Sequence, residues 1–225
     1  MRKQEEARPL ISIGNLSSHD NSWFRRTLIR WGRKHYRDFP WRSEHFPFHC
    51  LIAEILLQRT RAEQVVPVYQ EFKFRFPDPD TLCAATPEGI LNVIKSLGLA
   101  WRSRFLKALG CAIKERIPED MEGLLKLPGV GPYAAGAYLS LHRGKRATIV
   151  DSNVVRFYGR FFGFETHAET RRSRMVSELA EMLTPARKFR DYNYALLDFC
   201  ALVCMPKPNH DICPFKEKCL YSKNS

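Results

Sequence analysis

Apolar residues recur at helical spacing along almost the whole chain. Three such stripes are Trp23, Phe24, Leu28 and Trp31, then Phe105, Leu106, Leu109 and Ile113, and then Tyr194, Leu197, Phe199 and Val203. No run alternates apolar and polar residues convincingly, as a half-buried strand would. Breaks that contain proline, such as Phe76-Pro77-Asp78-Pro79 and Thr184-Pro185, divide the pattern into helices of ordinary length. The sequence therefore predicts an all-α fold.

Composition and charge narrow the class of protein. The chain has 225 residues, 44% of them hydrophobic, which is enough for one large domain or two small ones. Its net charge of +12 suits a polyanionic partner. The first twenty residues hold only one short apolar stretch, Leu10–Ile13, so we expect neither a signal peptide nor a membrane span. The expected place is the cytoplasm, beside the nucleoid.

The seven cysteines form an odd count, with three of them close to the end of the chain. The others are scattered among apolar residues. This distribution favours reduced thiols and a metal site over a framework of disulfides.

A glycine hairpin is the most informative local pattern. In Leu127-Pro128-Gly129-Val130-Gly131, two glycines flank one apolar residue, so the turn can adopt positive φ and bring backbone N–H groups against a phosphate. A helix over 133–143 would follow. Asp151 comes twenty residues after Gly131 and can cap the helix that begins at Ser152. Asp151 is therefore either a plain N-cap or a catalytic carboxylate beside bound DNA.

These motifs together resemble the helix-hairpin-helix DNA glycosylases, the superfamily of endonuclease III and of the MutY branch. Phe39-Pro40-Trp41-Arg42 is similar to a signature near the start of the MutY branch, and Glu54–Thr60 is similar to its acidic helix and base-stack wedge. The likeness extends from Phe39 to Cys219, where the family ends in an iron–sulfur loop.

The resemblance implies a domain organisation. Residues 47–150 would form a six-helix domain with the helix-hairpin-helix, and residues 21–46 and 151–225 a second helical domain with the iron–sulfur loop, after a tail at 1–20. The active site would lie in the cleft between the domains, with Glu54 on one wall and Asp151 on the other.

Two carboxylates in different settings suit the cleavage of a base from deoxyribose, which passes through an oxocarbenium-like sugar. Glu54 lies in a helix that is apolar nearly all round, where desolvation should favour the protonated form of a general acid. Asp151 at a helix N-terminus should stay ionised and stabilise the sugar cation. The structural alternative for Glu54 is a half-buried glutamate satisfied by a neighbouring donor.

Tyr133 occupies the position where bifunctional relatives carry the lysine that forms a Schiff base. Tyrosine cannot form one, so the resemblance implies a monofunctional glycosylase without strong lyase activity. Tyr133 could equally be a core aromatic of its helix.

Departures from the MutY branch indicate the base that is removed. Arg59, Leu99 and a non-glycine after Asp151 are similar to the T/G mismatch glycosylases, and the sequence stops six residues after Cys219, where MutY adds a domain that reads 8-oxoguanine. Arg59 could donate to an orphaned guanine while Gln58 and Leu99 fill the space of the flipped nucleotide, or Arg59 could contact only phosphate. The other expected DNA contacts are Arg42, Thr60, Gly129, Val130, Gly131 and Asn153.

The expected function is thus excision of thymine or uracil opposite guanine by a monomer that binds mismatched double-stranded DNA. The alternatives are an adenine glycosylase that acts opposite guanine or 8-oxoguanine, and a catalytically inert DNA-binding protein. Retention of Glu54 and Asp151 argues against the inert protein.

The terminal loop departs from the family pattern of four cysteines. Its spacing is Cys204-x5-His210-x2-Cys213-x5-Cys219, with histidine in place of the second cysteine. Imidazole can replace thiolate on iron, so the resemblance implies a [4Fe–4S] cluster with three cysteines and His210. Asp211 is a rival fourth ligand and Cys200 a weaker one. The same set would also suit zinc, and a loop without metal is the remaining alternative.

Overall fold

The structure is a computed structural model that describes residues 18–98 and 100–223. Most of the predicted tail at 1–20, and the predicted DNA contact Leu99, lie outside the described residues. The α-helices in chain order are α1 (Ser18–Lys34), α2 (Pro47–Leu56), α3 (Ala62–Arg75), α4 (Pro79–Ala84), α5 (Pro87–Ile94), α6 (Arg102–Ala112), α7 (Met121–Leu125), α8 (Pro132–Ala137), α9 (Ser152–Phe162), α10 (Arg174–Leu183), α11 (Phe189–Leu202) and α12 (Leu220–Lys223). These ranges contain no strand, which confirms the all-α prediction. Among them, no helix is both long and apolar enough to cross a membrane.

The chain divides into two compact units. One spans Asp38–Lys145, and the other takes in the described residues up to Arg37 and from Arg146 onward. The sequence placed these divisions later, at 46/47 and 150/151. The short 3-10 helix Pro40–Arg42 belongs to the first unit because Trp41 packs edge-on against Tyr69 of α3, with ring centroids 5.6 Å apart.

The core of the unit Asp38–Lys145 forms around α2. This helix begins with Pro47 at its first turn, and every residue from Phe48 to Leu56 is buried. Such a helix cannot present a polar face to water, so Glu54 is buried along with its apolar neighbours. The predicted stripe on α6 is buried at Leu106, Leu109 and Ile113, but Phe105 is 45% exposed.

A disulfide in the same unit corrects the expectation of reduced thiols. Cys83 of α4 is bonded to Cys111 of α6, 28 residues later in the sequence. The two helices approach closely beside this bond, because a Cβ on Gly110 would come within 2.9 Å of Leu82 Cγ. The cysteines that stay free are Cys50, Cys200, Cys204, Cys213 and Cys219.

The second unit is built on an aromatic core. Phe24 of α1 and Phe215 of the C-terminal loop lie 4.9 Å apart by ring centroid, and Phe199 of α11 lies 5.1 Å from Phe215. α1 runs so close to α11 that a Cβ on Gly32 would meet Ala195 Cβ at 2.4 Å. Phe215 thereby anchors the loop that carries the predicted metal ligands.

Candidate active site and metal loop

Glu54 is buried inside α2 and has one protein partner in the structure. Its Oε1 lies 2.8 Å from Nε2 of His142, and both side chains are 1% exposed. Within the described ranges, Oε2 of Glu54 and Nδ1 of His142 have no hydrogen-bond partner. The carboxyl group therefore has one oxygen held by His142 and one buried oxygen without a described partner.

The hairpin forms as predicted, with one correction. Val130 N donates to Leu127 O across a tight turn in which Gly129 has a φ of 76°, a conformation that favours glycine. Gly131 is instead extended, with a φ of −101°, so only the first glycine is required by backbone conformation. The helix expected over 133–143 is two segments, α8 and a π-helix at Tyr138–His142. His142 is the last residue of this π-helix.

The loop after α2 is fastened to the hairpin. Gln58 donates from Nε2 to the carbonyl of Gly129 at 3.3 Å. Arg102, only 2% exposed, donates hydrogen bonds to the carbonyls of Leu56 and Gln58. Burial, with the charge of Arg59 nearby, lowers the pKa of Arg102 to about 10. A buried arginine is thus used to hold the loop in place rather than to meet solvent.

The predicted DNA contacts differ in exposure. Arg59 is exposed and adopts a φ of 60°, which is uncommon for a residue other than glycine. Thr60 turns its hydroxyl onto Gln58 O at 3.3 Å. Arg42, by contrast, is 6% exposed, and its guanidinium lies 5.5 Å from the ring centroid of Phe39. The free protein therefore presents Arg59, and not Arg42, to solvent.

Asp151 is the N-cap of α9. Its Oδ1 accepts from the backbone N–H of Asn153 at 2.9 Å and of Val154 at 2.7 Å, and its Oδ2 accepts from the Asn153 amide at 2.8 Å. Arg156 in turn donates to Asn153 Oδ1 at 2.8 Å. The capping role that the sequence left open is thus present, and the two carboxylate oxygens accept all three of these hydrogen bonds.

Tyr133 lies in the first turn of α8, directly after Pro132, and is half-buried. It is not one of the buried core residues of the unit Asp38–Lys145. No primary amine is available from this side chain, which is the property that the sequence prediction used.

The four predicted metal ligands line one cavity in the second unit. Cys204, His210, Cys213 and Cys219 all contribute to its wall, whereas Asp211 and Cys200 do not. Arg160 lies beside it, with Nη1 3.7 Å from Cys204 Sγ. Burial raises the pKa of Cys204, an effect that Arg160 opposes, and burial also raises the pKa of Cys213.

The four side chains line this cavity without forming a preformed metal site. Nowhere in residues 18–98 and 100–223 do three His, Cys, Asp or Glu side chains converge closely enough to hold one metal ion. Thiolates are the usual ligands of a [4Fe–4S] cluster, and an imidazole can replace one of them. The donor set of three thiols and an imidazole is compatible with such a cluster.

Three features of the site were missed by sequence reasoning. They are the contact of His142 with Glu54, the anchoring of the loop by Arg102, and an exposed pair formed by Trp101 and Phe105, whose rings lie 5.5 Å apart. Trp101, 52% exposed, lines a small surface pocket together with Gln58 and Gly129. The arginine at position 102 is a signal visible in the sequence, but no local pattern marks His142 as a partner of Glu54.

Comparisons with known proteins agree with this geometry. The family model described as HhH-GPD superfamily base excision DNA repair protein matches residues 52–185. The chain is 36% identical over 201 residues to the thymine/uracil-DNA glycosylase of Methanothermobacter thermautotrophicus, an alignment that covers 87% of this chain and 91% of that protein. It is 32% identical to the adenine DNA glycosylase of Buchnera aphidicola subsp. Baizongia pistaciae, over 87% of this chain and 57% of that protein. A solved thermostable thymine-DNA glycosylase superposes with a TM-score of 0.85 at 34% identity, covering 94% of this chain and all of that one.

Proposed function

We propose that this chain, which belongs to the HhH-GPD superfamily of base excision DNA repair proteins, hydrolyses the bond between deoxyribose and a thymine or uracil mispaired with guanine. The chain is a DNA glycosylase, and DNA is its partner. The main support for the proposed substrate is the 36% identity to a thymine/uracil-DNA glycosylase over nearly the whole of both chains. The guanine partner and action as a monomer beside the nucleoid are parts of the proposal.

Glu54 is proposed as the general acid. A proton leaves Oε2 for an oxygen or nitrogen of the departing base, and the electron pair of the glycosidic bond leaves with the base. Water then adds to the sugar carbon, and the proton that it releases returns to the Glu54 carboxylate. Two observations support this role: the Glu54 side chain is shielded from water, and none of the described protein groups occupies its Oε2.

Asp151 is proposed to stabilise the positive sugar. Its three hydrogen bonds fix the carboxylate at the start of α9, so the charge needs no reorganisation when the cation forms. Capping and catalysis are compatible uses of one carboxylate. Asn153 supports Asp151 from the same turn and remains a proposed DNA contact.

The hairpin and the loop after α2 are proposed to grip the DNA. Gly129, Val130 and Gly131 would offer backbone N–H groups to a phosphate, a grip that does not depend on sequence. Arg59 would read the orphaned guanine, with Gln58 and Thr60 completing the wedge. Leu99 and Arg42 stay proposed contacts on the resemblance alone.

Monofunctional chemistry is proposed from Tyr133, because a phenol cannot form an imine with the sugar. Strand breakage should therefore need alkali or heat after the base has been removed. A covalent adduct trapped with borohydride would contradict this part of the proposal.

Adenine excision is the second candidate, supported by the 32% identity to an adenine DNA glycosylase. One assay separates the two candidates. Duplexes with T·G, U·G, A·G and A·8-oxoguanine pairs are incubated with excess protein, treated with alkali and resolved on a gel. We expect product from T·G and U·G. Product from the adenine pairs alone would favour the second candidate.

Substitutions at the two carboxylates test their roles. Glu54→Gln should lower base release by at least about 100-fold, the low end for loss of general acid catalysis. Asp151→Asn keeps an oxygen for the α9 cap and removes only the charge, so it should abolish turnover while DNA binding stays intact. Asp151→Ala is the control for the cap, with an expected stability cost of about 1 kcal/mol. A parallel loss of binding and activity in Asp151→Asn would reduce Asp151 to a structural cap.

The terminal loop is proposed to hold a structural [4Fe–4S] cluster through Cys204, His210, Cys213 and Cys219. The cluster would fix the loop, with the basic Lys207 and Lys216 of the loop exposed around it. Purified protein should then contain about four irons per chain. His210→Ala should make the cluster labile, and the neighbouring Asp211→Ala should not. One zinc per chain, or instability only in the Asp211 variant, would refute the assignment.

A further inference from the structure

The contact between Glu54 and His142 joins two elements that the sequence keeps far apart. Glu54 lies in the last turn of α2, and His142 ends the π-helix that continues from the hairpin. Both side chains are almost completely buried, and the contact at 2.8 Å is short enough for a strong hydrogen bond. A buried polar pair of this kind acts on the protonation of its members as well as on stability.

We propose that His142 is a positioning residue that directs the proton of Glu54 onto Oε2, the oxygen from which it passes to the departing base. The inference rests on the proposed role of Glu54 as the general acid. It assigns no contact between His142 and the DNA.

The hydrogen-bond pattern determines the tautomer. Among described residues, Nδ1 of His142 has no partner, so a hydrogen at Nδ1 would be a buried donor without an acceptor. A charged imidazolium would carry the same orphaned donor and a buried charge in addition. The neutral ring with its hydrogen on Nε2 has no orphaned donor of its own and no buried charge, and Nε2 then donates to Oε1 of Glu54.

The position of the acid proton follows from this tautomer. Since Oε1 accepts from His142, a neutral Glu54 carries its proton on Oε2. A proton on Oε1 would have to donate to Nε2 and would force the ring hydrogen onto Nδ1, which has no described acceptor. A proton on Oε2 has no described acceptor in the free protein either, but in the proposed reaction the departing base accepts it. The histidine thereby leaves one reactive oxygen where a free carboxyl group would have two.

The surrounding groups do not compete for this proton. Burial, together with the charges of Glu44 and Glu54, raises the pKa of Cys50 to about 12, and burial raises the pKa of Tyr138 to about 12. Burial also raises the pKa of Tyr69 of α3. These three groups are therefore neutral near pH 7.

The charged groups of the same unit are paired with others. Arg143, next to His142, donates to Glu119, and Lys73 of α3 donates to Glu44. Hydrogen bonds from Lys73 and from backbone N–H groups lower the pKa of Glu44 to about 2 against the effect of burial, so Glu44 stays ionised. These charged groups are therefore engaged with each other and not with Glu54 or His142.

Three variants test the inference. His142→Leu removes the donor at similar volume, and His142→Gln offers an amide N–H in place of Nε2. The matched control is His49→Gln, because His49 is also buried in this unit but contacts the Phe76 carbonyl at 3.4 Å instead of Glu54. Base release is measured under single-turnover conditions on a U·G duplex from pH 5 to 9, and DNA affinity by fluorescence anisotropy.

His142→Leu should lower the rate at neutral pH at least tenfold with DNA affinity changed less than twofold. Loss of a donor to the carboxylate should also move the alkaline limb of the rate profile to higher pH. His142→Gln should restore most of the rate and return the limb to its original position. A merely structural role would lower the rate of both variants equally without moving the limb, and a wild-type profile in His142→Leu would equally overturn the inference.

A second measurement does not depend on the folding of a variant. In wild-type protein with ¹⁵N-labelled histidine, bound to a U·G duplex whose glycosidic bond cannot be cleaved, the His142 ring should be neutral at pH 7 with its hydrogen on Nε2. A ring with its hydrogen on Nδ1, or on both nitrogens, would refute the inference. The variant Glu54→Gln separates this failure from failure of the proposed function. If Glu54→Gln is fully active, Glu54 is not the general acid. If Glu54→Gln is inactive while His142→Leu has a normal rate, only the proposed role of His142 is refuted.

Discussion

Reduction of the Cys83–Cys111 disulfide opens a covalent loop that spans 28 residues and contains α5 and nearly all of α6. A cross-link stabilises mainly by limiting the unfolded chain, with about 3 kcal/mol expected for a 15-residue loop and about 4.7 kcal/mol for a 100-residue loop. The loop here lies nearer the first case. We therefore expect reduction to destabilise the unit Asp38–Lys145 by about 3–4 kcal/mol.

Urea denaturation measures this difference directly. Oxidised wild type, reduced wild type and the double variant Cys83→Ser/Cys111→Ser are compared, and with a slope of about 1–3 kcal/mol/M the midpoint should fall by at least about 1 M on reduction. Cys111 is exposed, so a reductant reaches the bond without unfolding. Reductant should not change the double variant, which controls for effects at the terminal cysteine loop. Hydrogen exchange followed by mass spectrometry should place the loss of protection within residues 38–145. Coincident midpoints for oxidised and reduced wild type would refute the loop-entropy argument.

Two further predictions concern charged residues of the same unit. Arg59→Ala should weaken discrimination for guanine opposite the target by about 1–3 kcal/mol in single-turnover assays, whereas an equal loss with every opposing base would make Arg59 a phosphate contact. Burial would raise the pKa of Glu44, but Lys73 and the N–H groups of Phe46 and His45 hold it at about 2, below the ordinary 4.5. Its contribution to stability is thus full above about pH 5 and is lost as the pH falls towards 2, so Glu44→Gln should cost about 2 kcal/mol at pH 7 and little at pH 2. Acid-unfolding curves that coincide for the two proteins would contradict this.

The parts of the structure that follow from local pattern were predictable. Helical periodicity is a property of short windows, so the all-α fold could be read from the apolar stripes. The cap at Asp151 depends on residues two and three positions later, and the burial of Glu54 follows from the apolar residues on every side of α2. These interactions are contained within one element, where sequence spacing alone determines which side chains meet.

The missed features depend on contacts between elements. His142 is 88 residues from Glu54, and Cys83 is 28 residues from Cys111, so neither pair has a signature in a short window. The exposure of Phe105 could not be predicted from the sequence for a related reason. Periodicity places Phe105 on the same stripe as buried residues of α6 but cannot say how far the neighbouring elements extend over that stripe.

Two contacts join α2 and the loop after it to the hairpin and to the π-helix that follows, and they decide which glycine can test the phosphate grip. Gln58 bonds Gly129, and one turn earlier Glu54 bonds His142, so a shift of the hairpin would disturb the acid as well as the DNA contact. Alanine at Gly129 would be strained by the positive φ and would place its Cβ 3.3 Å from that of Phe105. At Gly131 the backbone is extended, and a Cβ would meet none of the described atoms within 4 Å, so alanine fits without displacing the hairpin.

Gly131→Ala should therefore weaken DNA binding by about 1.5–3 kcal/mol, equally for matched and mismatched duplexes. The reason is that its methyl group would stand where, in the proposed complex, a charged phosphate accepts hydrogen bonds from the backbone N–H groups. The single-turnover rate at saturating protein should stay unchanged, and unchanged affinity in anisotropy titrations would show that this part of the hairpin does not hold the phosphate.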